Sequence, residues 1–295
     1  MRSFFRVSRH ATTALLAAVL LAACGEKPQA PQPPTEPGVV LVATEPGEAE
    51  LFINGQHHGR TPSESGQTLT VPLAPGNYTL EARKAADEFS EWAGRREQLA
   101  VGDTPVPPVI LKLERRLTPA GEQARAAEQA RLAAREQSLI AAFALDEAGT
   151  ATDTRSGLMW MRCSVGQSWT DGGCAGEPKL ISWTNAMKLP AGFSFAGHGD
   201  WRMPTREELH SLTYCSSGRR FALDQEGAGG ACEGNFRRPT ILETVFPNTP
   251  EGRYWSSTEH PAYSHSAYGV AFINGVMGAG SKSEYVAVRL VRDAR

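Results

Sequence analysis

The chain has 295 residues, 41% of them hydrophobic, and a formal net charge of −2. This length and apolar content predict a protein of about two domains, each able to bury its own core. A charge so near zero excludes a strongly basic nucleic-acid-binding protein, and no apolar run after the N-terminal segment is long enough to cross a membrane.

The N-terminal segment 1–23 has the pattern of an export signal. Three arginines precede an apolar run, which ends in the small residues of "LAAC" with Cys24 last. This ending resembles the bacterial lipobox, which implies that Cys24 becomes the acylated N-terminus of a lipoprotein. In that family, Gly25 after the cysteine implies sorting to the outer membrane. The acyl chains would anchor the protein, because each buried methylene contributes about 0.8 kcal/mol of binding free energy. An ordinary secretory signal is the alternative, but it leaves Cys24 unexplained.

Two segments with different composition follow the signal. Residues 24–38 are rich in proline and predict an extended tether. Residues 39–114 alternate apolar and polar positions between Gly and Pro turns, which predicts a small antiparallel β-sandwich with a hairpin at Asn54-Gly55. The run from "TEPGEAELFING" to "NYTLEARK" resembles the PEGA domain, which implies a spacer or interaction module.

Residues 115–148 are rich in Ala, Glu, Gln and Arg, which are strong helix formers. They predict a helical linker, with supportive pairs such as Glu128 and Arg131 three residues apart. Leu132 and Leu139 lie one heptad apart, but the preceding heptad position is occupied by Arg125, so the pattern argues only weakly for a coiled coil. We treat the helix as a rigid spacer and as a candidate surface for oligomerisation.

Four cysteines remain beyond Cys24, an even number in a chain with an export signal. An oxidising compartment favours disulfides over thiols, and the absence of a C-x2-C spacing argues against zinc. Three pairings are open, and the short separations favour Cys163 with Cys174 and Cys215 with Cys232.

Residues 149–295 are nearly neutral and contain short apolar runs and many glycines, which predicts a loop-rich α+β domain. The blocks "DTRSGLMW", "GDWRMPTREELHSL", "YWSST" and "YVAVRLVR", in this order, resemble the Lcl C-terminal domain family. The resemblance implies a C-type-lectin-like or formylglycine-generating-enzyme-like fold and extracellular binding, with glycosaminoglycan recognition attributed to the adhesin that gives the family its name.

The stretch "HGDWRMPTREELHSL" has the residue types of a catalytic site, yet most of them have structural explanations. Thr205 and Glu208 form a capping-box pattern, and Leu209 and Leu212 fall on one helix face. Asp200 and Arg202 either pair with each other and lock a loop, or line a ligand pocket. Glu207 and His210 have the Glu-x-x-His spacing that occurs in the helices of di-iron proteins. The chain lacks the other carboxylate-bearing helices of such a site, so we expect no metal and no cofactor.

The remaining candidates are ligand-binding residues. Tryptophan beside hydroxyl groups suits sugar recognition, and convergent arginine pairs bind sulfate or carboxylate groups bidentately. The candidate ligand-binding residues are Trp201, Arg202, Trp255, Arg219, Arg220, Arg237 and Arg238. Buried tryptophans and solvated surface arginines are the plain alternatives.

The domain order predicts a lipid-anchored protein of the cell envelope whose C-terminal domain is a non-catalytic recognition module for a glycan or for an envelope or host protein. Successive spacers are expected where a binding domain is held away from a membrane. Two alternatives stay open: an oxidase of the formylglycine-generating type, which needs reactive thiols that hold copper, and a purely structural envelope component.

Overall fold

The computed structural model describes residues 38–294. The predicted signal peptide 1–23, the predicted lipidation site Cys24 and all but the last residue of the predicted tether lie outside these residues. The chain divides into two compact units, one ending at Gln123 and the other starting at Ala124. None of the helices between residues 38 and 294 combines the length and apolar character needed to cross a membrane.

The first unit consists of strands that form two sheets. A five-stranded antiparallel sheet has the order β3-β2-β5-β6-β8, and a three-stranded sheet has the order β4-β1-β7. The strands are β1 (Val39–Glu45), β2 (Glu50–Ile53), β3 (Gln56–Arg60), β4 (Leu69–Pro72), β5 (Gly76–Ala85), β6 (Ser90–Val101), β7 (Val109–Lys112) and β8 (Glu114–Leu117).

The alternating pattern of the first unit places one face of its strands in a core. In β1, Val40 and Val42 are fully buried while their neighbours are partly exposed, as the period of two requires. Asn54 and Gly55 both have positive φ, at 49° and 80°, and connect β2 to β3, which confirms the predicted hairpin.

One strand pair of the first unit was not expected. β7 pairs with β1 in parallel, with Val42 opposite Val109, whereas the sequence pattern predicts antiparallel strands only. Parallel neighbours need a long connection between them, and here the strands from β2 to β6 supply it. Alternation of apolar residues reports which side of a strand is buried and does not report strand direction.

The helix α1 (Pro119–Ala141) occupies most of the predicted linker segment 115–148. Thr118 accepts a hydrogen bond from the Gly121 amide at 3.1 Å, which satisfies one free donor of the first turn. Glu128 and Arg131 form the expected i,i+3 ion pair, with two nitrogen–oxygen distances of 2.7 Å. Strand β8 occupies 115–117 before the helix, and a further strand follows the helix within the same predicted segment.

The second unit contains most of α1 and combines small sheets with two further, short helices. Its sheets have the orders β17-β11-β10-β9, β12-β13 and β14-β15-β16. The elements after α1 are β9 (Phe143–Leu145), β10 (Thr150–Asp153), β11 (Leu158–Met161), β12 (Ser168–Thr170), β13 (Gly173–Ala175), α2 (Trp183–Ala186), α3 (Arg206–Ser211), β14 (Arg253–Glu259), β15 (Ser266–Ala271), β16 (Val276–Ser281) and β17 (Val291–Asp293). The result is a β-rich unit with little helix, and much of its chain consists of loops.

Two disulfides brace the loops of the second unit. Cys163 bonds Cys174, with Cα atoms 5.4 Å apart, and Cys215 bonds Cys232, with Cα atoms 5.3 Å apart. Both pairs are those that the short sequence separations favour. The second bond closes the loop that carries Arg219 and Arg220, while Arg237 and Arg238 follow this loop in the sequence.

The largest polar side chain in the core of the second unit is Arg289, which is fully buried. Its Nη1 donates to the carbonyls of Met161, at 2.8 Å, and of Arg162, and its Nη2 donates to Thr249 Oγ1 at 2.7 Å. The guanidinium also lies 4.9 Å from the ring centre of Phe246. Carbonyl oxygens and an aromatic face thus solvate this cation in place of water.

Candidate ligand-binding site

The stretch from His198 to Leu212 forms a loop and the helix α3. Thr205 Oγ1 accepts from the Glu208 amide at 3.2 Å, and the Glu208 carboxylate accepts from the Thr205 amide at 2.8 Å. This is the predicted capping box, with both hydrogen bonds present. Leu209 and Leu212 are buried, so these residues build the fold.

The two charged residues that flank Trp201 do not pair with each other, which corrects the predicted Asp200–Arg202 pair. Arg202 binds the Glu208 carboxylate through two nitrogens, each at 2.8 Å. Asp200 binds Arg292 instead, at 2.6 and 3.0 Å. Asp200 and Arg202 thus reach partners on different elements, Arg292 on β17 and Glu208 on α3. Both bidentate ion pairs hold the loop to the rest of the unit.

The Arg202–Glu208 contact predicts a pH dependence of stability. Hydrogen bonds from Arg202, and then from the Thr205 amide, hold the pKa of Glu208 below its usual value against the opposing effect of burial. A carboxyl whose pKa is lowered by folding stabilises the protein above its unfolded pKa, and this contribution is lost as the pH falls through the folded pKa. We expect Glu208→Gln to lower the free energy of unfolding by about 1–2 kcal/mol at pH 7.

Denaturant titrations of wild type and Glu208→Gln between pH 7 and pH 3 measure this effect. The difference between the two proteins should shrink below the ordinary carboxyl pKa of about 4.5. A difference that stays constant down to pH 3 would show that the charge of Glu208 contributes nothing.

Trp201 and Trp255 lie in the core, which corrects their prediction as candidate ligand-binding residues. They are 3% and 0% exposed. Their indole nitrogens donate to the carbonyls of Phe195 and Ile181, each at 3.1 Å. A ring that is covered on both faces offers no surface to a sugar, so the plain alternative, core tryptophan, describes both residues.

Three arginines converge beside the Cys215–Cys232 disulfide, and we call them the arginine cluster: Arg135, Arg220 and Arg237. Arg135 and Arg237 lie near the Tyr214 ring, with Cζ atoms 5.8 and 5.9 Å from its centre. Arg135 Nη1 donates to the Cys215 carbonyl at 3.2 Å, and Arg220 Nη2 donates to the Thr213 carbonyl at 2.7 Å. The three guanidinium groups therefore all contact residues 213–215, and all three arginines are exposed.

The charges of the arginine cluster are only partly compensated. Glu136 binds Arg237 at 2.5 Å and also accepts from the Tyr214 hydroxyl at 3.2 Å. Desolvation, followed by repulsion from Arg135, lowers the pKa of Arg220. Arg135 and Arg220 thus repel each other, and a bound anion would offset this repulsion. Guanidinium groups suit sulfate and carboxylate, because their forks bind two oxygens at once.

The other two predicted arginines point elsewhere. Arg219 lies 3.9 Å from Glu233, and Arg238 lies over the Phe236 ring, 5.7 Å from its centre. Neither of these contacts involves the arginine cluster, although both residues are next to a member of it in the sequence.

Sequence reasoning missed Arg135, which lies on α1, 80 residues from the Cys215 carbonyl that it binds. A usable signal was present: the apolar pair Leu139 and Ile140 near the end of the helix packs against the core of the second unit. An apolar patch on an otherwise polar helix indicates which end docks, and Arg135 lies one turn before it.

Between residues 38 and 294, no three His, Cys, Asp or Glu side chains are grouped as metal ligands. His57, from the exposed histidine pair of the first unit, pairs with Glu50 instead. His210 is buried, and its Nε2 lies 3.2 Å from the Gly275 carbonyl. These two histidines have protein partners in the fold.

Comparison with known proteins agrees with the architecture of the second unit. No curated protein matches the chain. A family model matches residues 149–292, just under half of the chain, which begin beside β10 and end in β17. These two strands flank β11 in one sheet, so the matched region starts and finishes within a single structural element. The second unit therefore contains the part of this chain that matches the Lcl C-terminal domain family.

Proposed function

We propose that this protein is a lipid-anchored component of the bacterial cell envelope, sorted to the outer membrane, and that its C-terminal domain recognises a ligand without catalysis. Cys24 carries the anchor, the proline-rich segment is a tether, and the first unit is a PEGA-like spacer. The ligand class is an anionic glycan, or an acidic face of an envelope or host protein. A C-type-lectin-like fold of the second unit belongs to the same proposal.

The arginine cluster is the observation that carries this proposal. Arg135 lies on α1, Arg220 within the disulfide loop and Arg237 after that loop. Backbone carbonyls hold the guanidinium groups of Arg135 and Arg220, and Glu136 holds that of Arg237. Side chains fixed in this way lose little conformational entropy when an anion binds. The arrangement therefore favours binding of sulfate or carboxylate groups over a purely structural role.

The disulfides support a non-catalytic domain over the alternative oxidase. Oxidases of the formylglycine-generating type need reactive thiols, and the four cysteines of the second unit are bonded in pairs. A thiol titration of the folded protein separates the two functions. No thiol should react in the lipidated protein, whereas a reactive pair from the second unit would favour the oxidase.

An array of sulfated and carboxylated oligosaccharides tests the binding function, with full-length protein purified in detergent. We expect Arg135→Ala, Arg220→Ala and Arg237→Ala each to weaken binding about three- to tenfold, because each removes a charged hydrogen-bond donor from a partly exposed site. Arg238→Ala is the matched control, since this arginine lies outside the cluster, and it should bind like wild type. Equal losses for all four variants would point to a diffuse charge effect and contradict a defined site.

A further inference from the structure

A second candidate surface lies on the connection between β14 and β15, which we call the aromatic loop (residues 260–265). Tyr263 lies in this loop and is 57% exposed. The ring of His260 lies 4.7 Å from that of Tyr263, and the ring of His265 lies 6.1 Å from it on the other side in sequence. His260 also stacks on Tyr268, with ring centres 5.4 Å apart and planes 12° from parallel. The exposed ring thus belongs to a continuous series of ring contacts anchored in the core.

The backbone of the aromatic loop is held by several hydrogen bonds. His260 Nδ1 accepts from the amides of Ala262 and Tyr263, each at 3.2 Å. The Ser266 amide donates to the Tyr263 carbonyl at 2.9 Å, and Lys282 Nζ donates to the Ser264 carbonyl at 2.7 Å. Tyr263 is therefore displayed on a fixed turn, and the entropy of ordering it is already lost in the free protein.

Polar groups border this exposed ring. Lys282 Nζ binds the Glu259 carboxylate at 2.5 Å at the start of the loop, and the Glu259 side chain is 57% exposed. An aromatic face beside an accessible carboxylate matches a pyranose ring, which has an apolar C–H face and an edge of hydroxyls. Tyrosine suits such contacts because it offers a large amphipathic area with few rotatable bonds.

The size of the surface favours a sugar over a protein partner. A stable protein interface buries about 800 Å² on each side. A fully covered aromatic side chain contributes roughly 150–250 Å², so three partly exposed rings supply well under that area. One pyranose ring needs no more than a single exposed aromatic face.

We propose that the aromatic loop binds a neutral pyranose unit of a glycan, with Tyr263 stacked on the sugar and His260 and His265 flanking it. This site is separate in its chemistry from the arginine cluster, because stacking requires no anionic group on the ligand. It extends the proposed recognition function to uncharged sugars and does not depend on the cluster being correct.

The test applies full-length protein in detergent to an array of neutral hexose and N-acetylhexosamine oligosaccharides, with sulfated ones on the same array. We expect wild type to bind a subset of the neutral glycans and Tyr263→Ala to bind them about tenfold more weakly, which corresponds to about 1.4 kcal/mol. Tyr263→Phe keeps the ring and should bind nearly as well as wild type. Arg238→Ala, which changes a residue outside both proposed sites, should leave binding to neutral glycans unchanged.

Wild-type affinity in Tyr263→Ala, or a wild type that binds no neutral glycan, overturns the inference. If sulfated glycans alone bind, and this binding depends on the arginine cluster, the proposed function stands while the aromatic-loop site is rejected. Because Tyr263 is exposed, its replacement should leave the unfolding midpoint unchanged, which verifies that lost binding reflects the ring.

Discussion

Replacing Arg289 with alanine is expected to lower the free energy of unfolding of the second unit by about 3–5 kcal/mol. The substitution leaves a cavity where a fully buried side chain was, and it removes the donors for the carbonyls of Met161 and Arg162. Burial lowers the pKa of Arg289, and the contact with Tyr254 partly opposes this shift. The cation is thus held in the core by its protein partners.

Two further variants separate the causes of this loss. Arg289→Met fills most of the volume but cannot donate, so it should retain the cost of unpaired carbonyls, about 1–3 kcal/mol. Arg219→Ala removes an exposed arginine with a 3.9 Å ion pair and should change stability by less than about 0.5 kcal/mol. Denaturant unfolding followed by tryptophan fluorescence suits the test, because five of the six tryptophans lie in the second unit. A loss for Arg289→Ala as small as that for Arg219→Ala would contradict the account.

Removing the Cys215–Cys232 disulfide should lower the free energy of unfolding by about 3 kcal/mol and should also weaken anion binding. The bond joins residues 17 positions apart, and closing a loop of this size restricts the unfolded chain by about that free energy. Arg220 forms an antiparallel β-bridge with Cys232, so loosening the loop should displace Arg220 from the arginine cluster. The variant for this test is Cys215→Ala combined with Cys232→Ala.

The other disulfide provides the matched control. Cys163→Ala combined with Cys174→Ala opens a loop with an 11-residue separation and should cost slightly less stability. Since the arginine cluster does not include this loop, binding to sulfated glycans should remain at the wild-type level. Equal binding losses in both double variants would mean that the domain responds as a whole and that the cluster has no special link to its own disulfide.

Local signals in the sequence predicted local structure well. The hairpin at Asn54-Gly55, the capping box of Thr205 and Glu208, and the two short-range disulfides each follow from residues close together in the chain. Their geometry is set by backbone conformation and by short loops, so composition and spacing carry the information. The family-like blocks of the C-terminal segment likewise coincide with the matched region 149–292.

Contacts between segments that are distant in sequence could not be predicted in the same way. The parallel pairing of β7 with β1, the Asp200–Arg292 ion pair and the arrival of Arg135 at the disulfide loop all join residues far apart in sequence. Periodicity gives the buried side of an element but not its partner. Trp255 shows the same limit, because a tryptophan next to hydroxyl residues suits both a sugar site and a core, and only packing decides between them.

The proposed recognition function depends most on the arginine cluster as an anion-binding site. Its most direct test is a titration of full-length protein with one sulfated polysaccharide, comparing wild type with the triple variant Arg135→Gln, Arg220→Gln and Arg237→Gln. We predict an affinity for wild type that falls as salt is added, and at least about a tenfold loss in the triple variant under conditions in which both proteins are folded. Equal affinity of the two folded proteins for the polysaccharide would contradict the central claim.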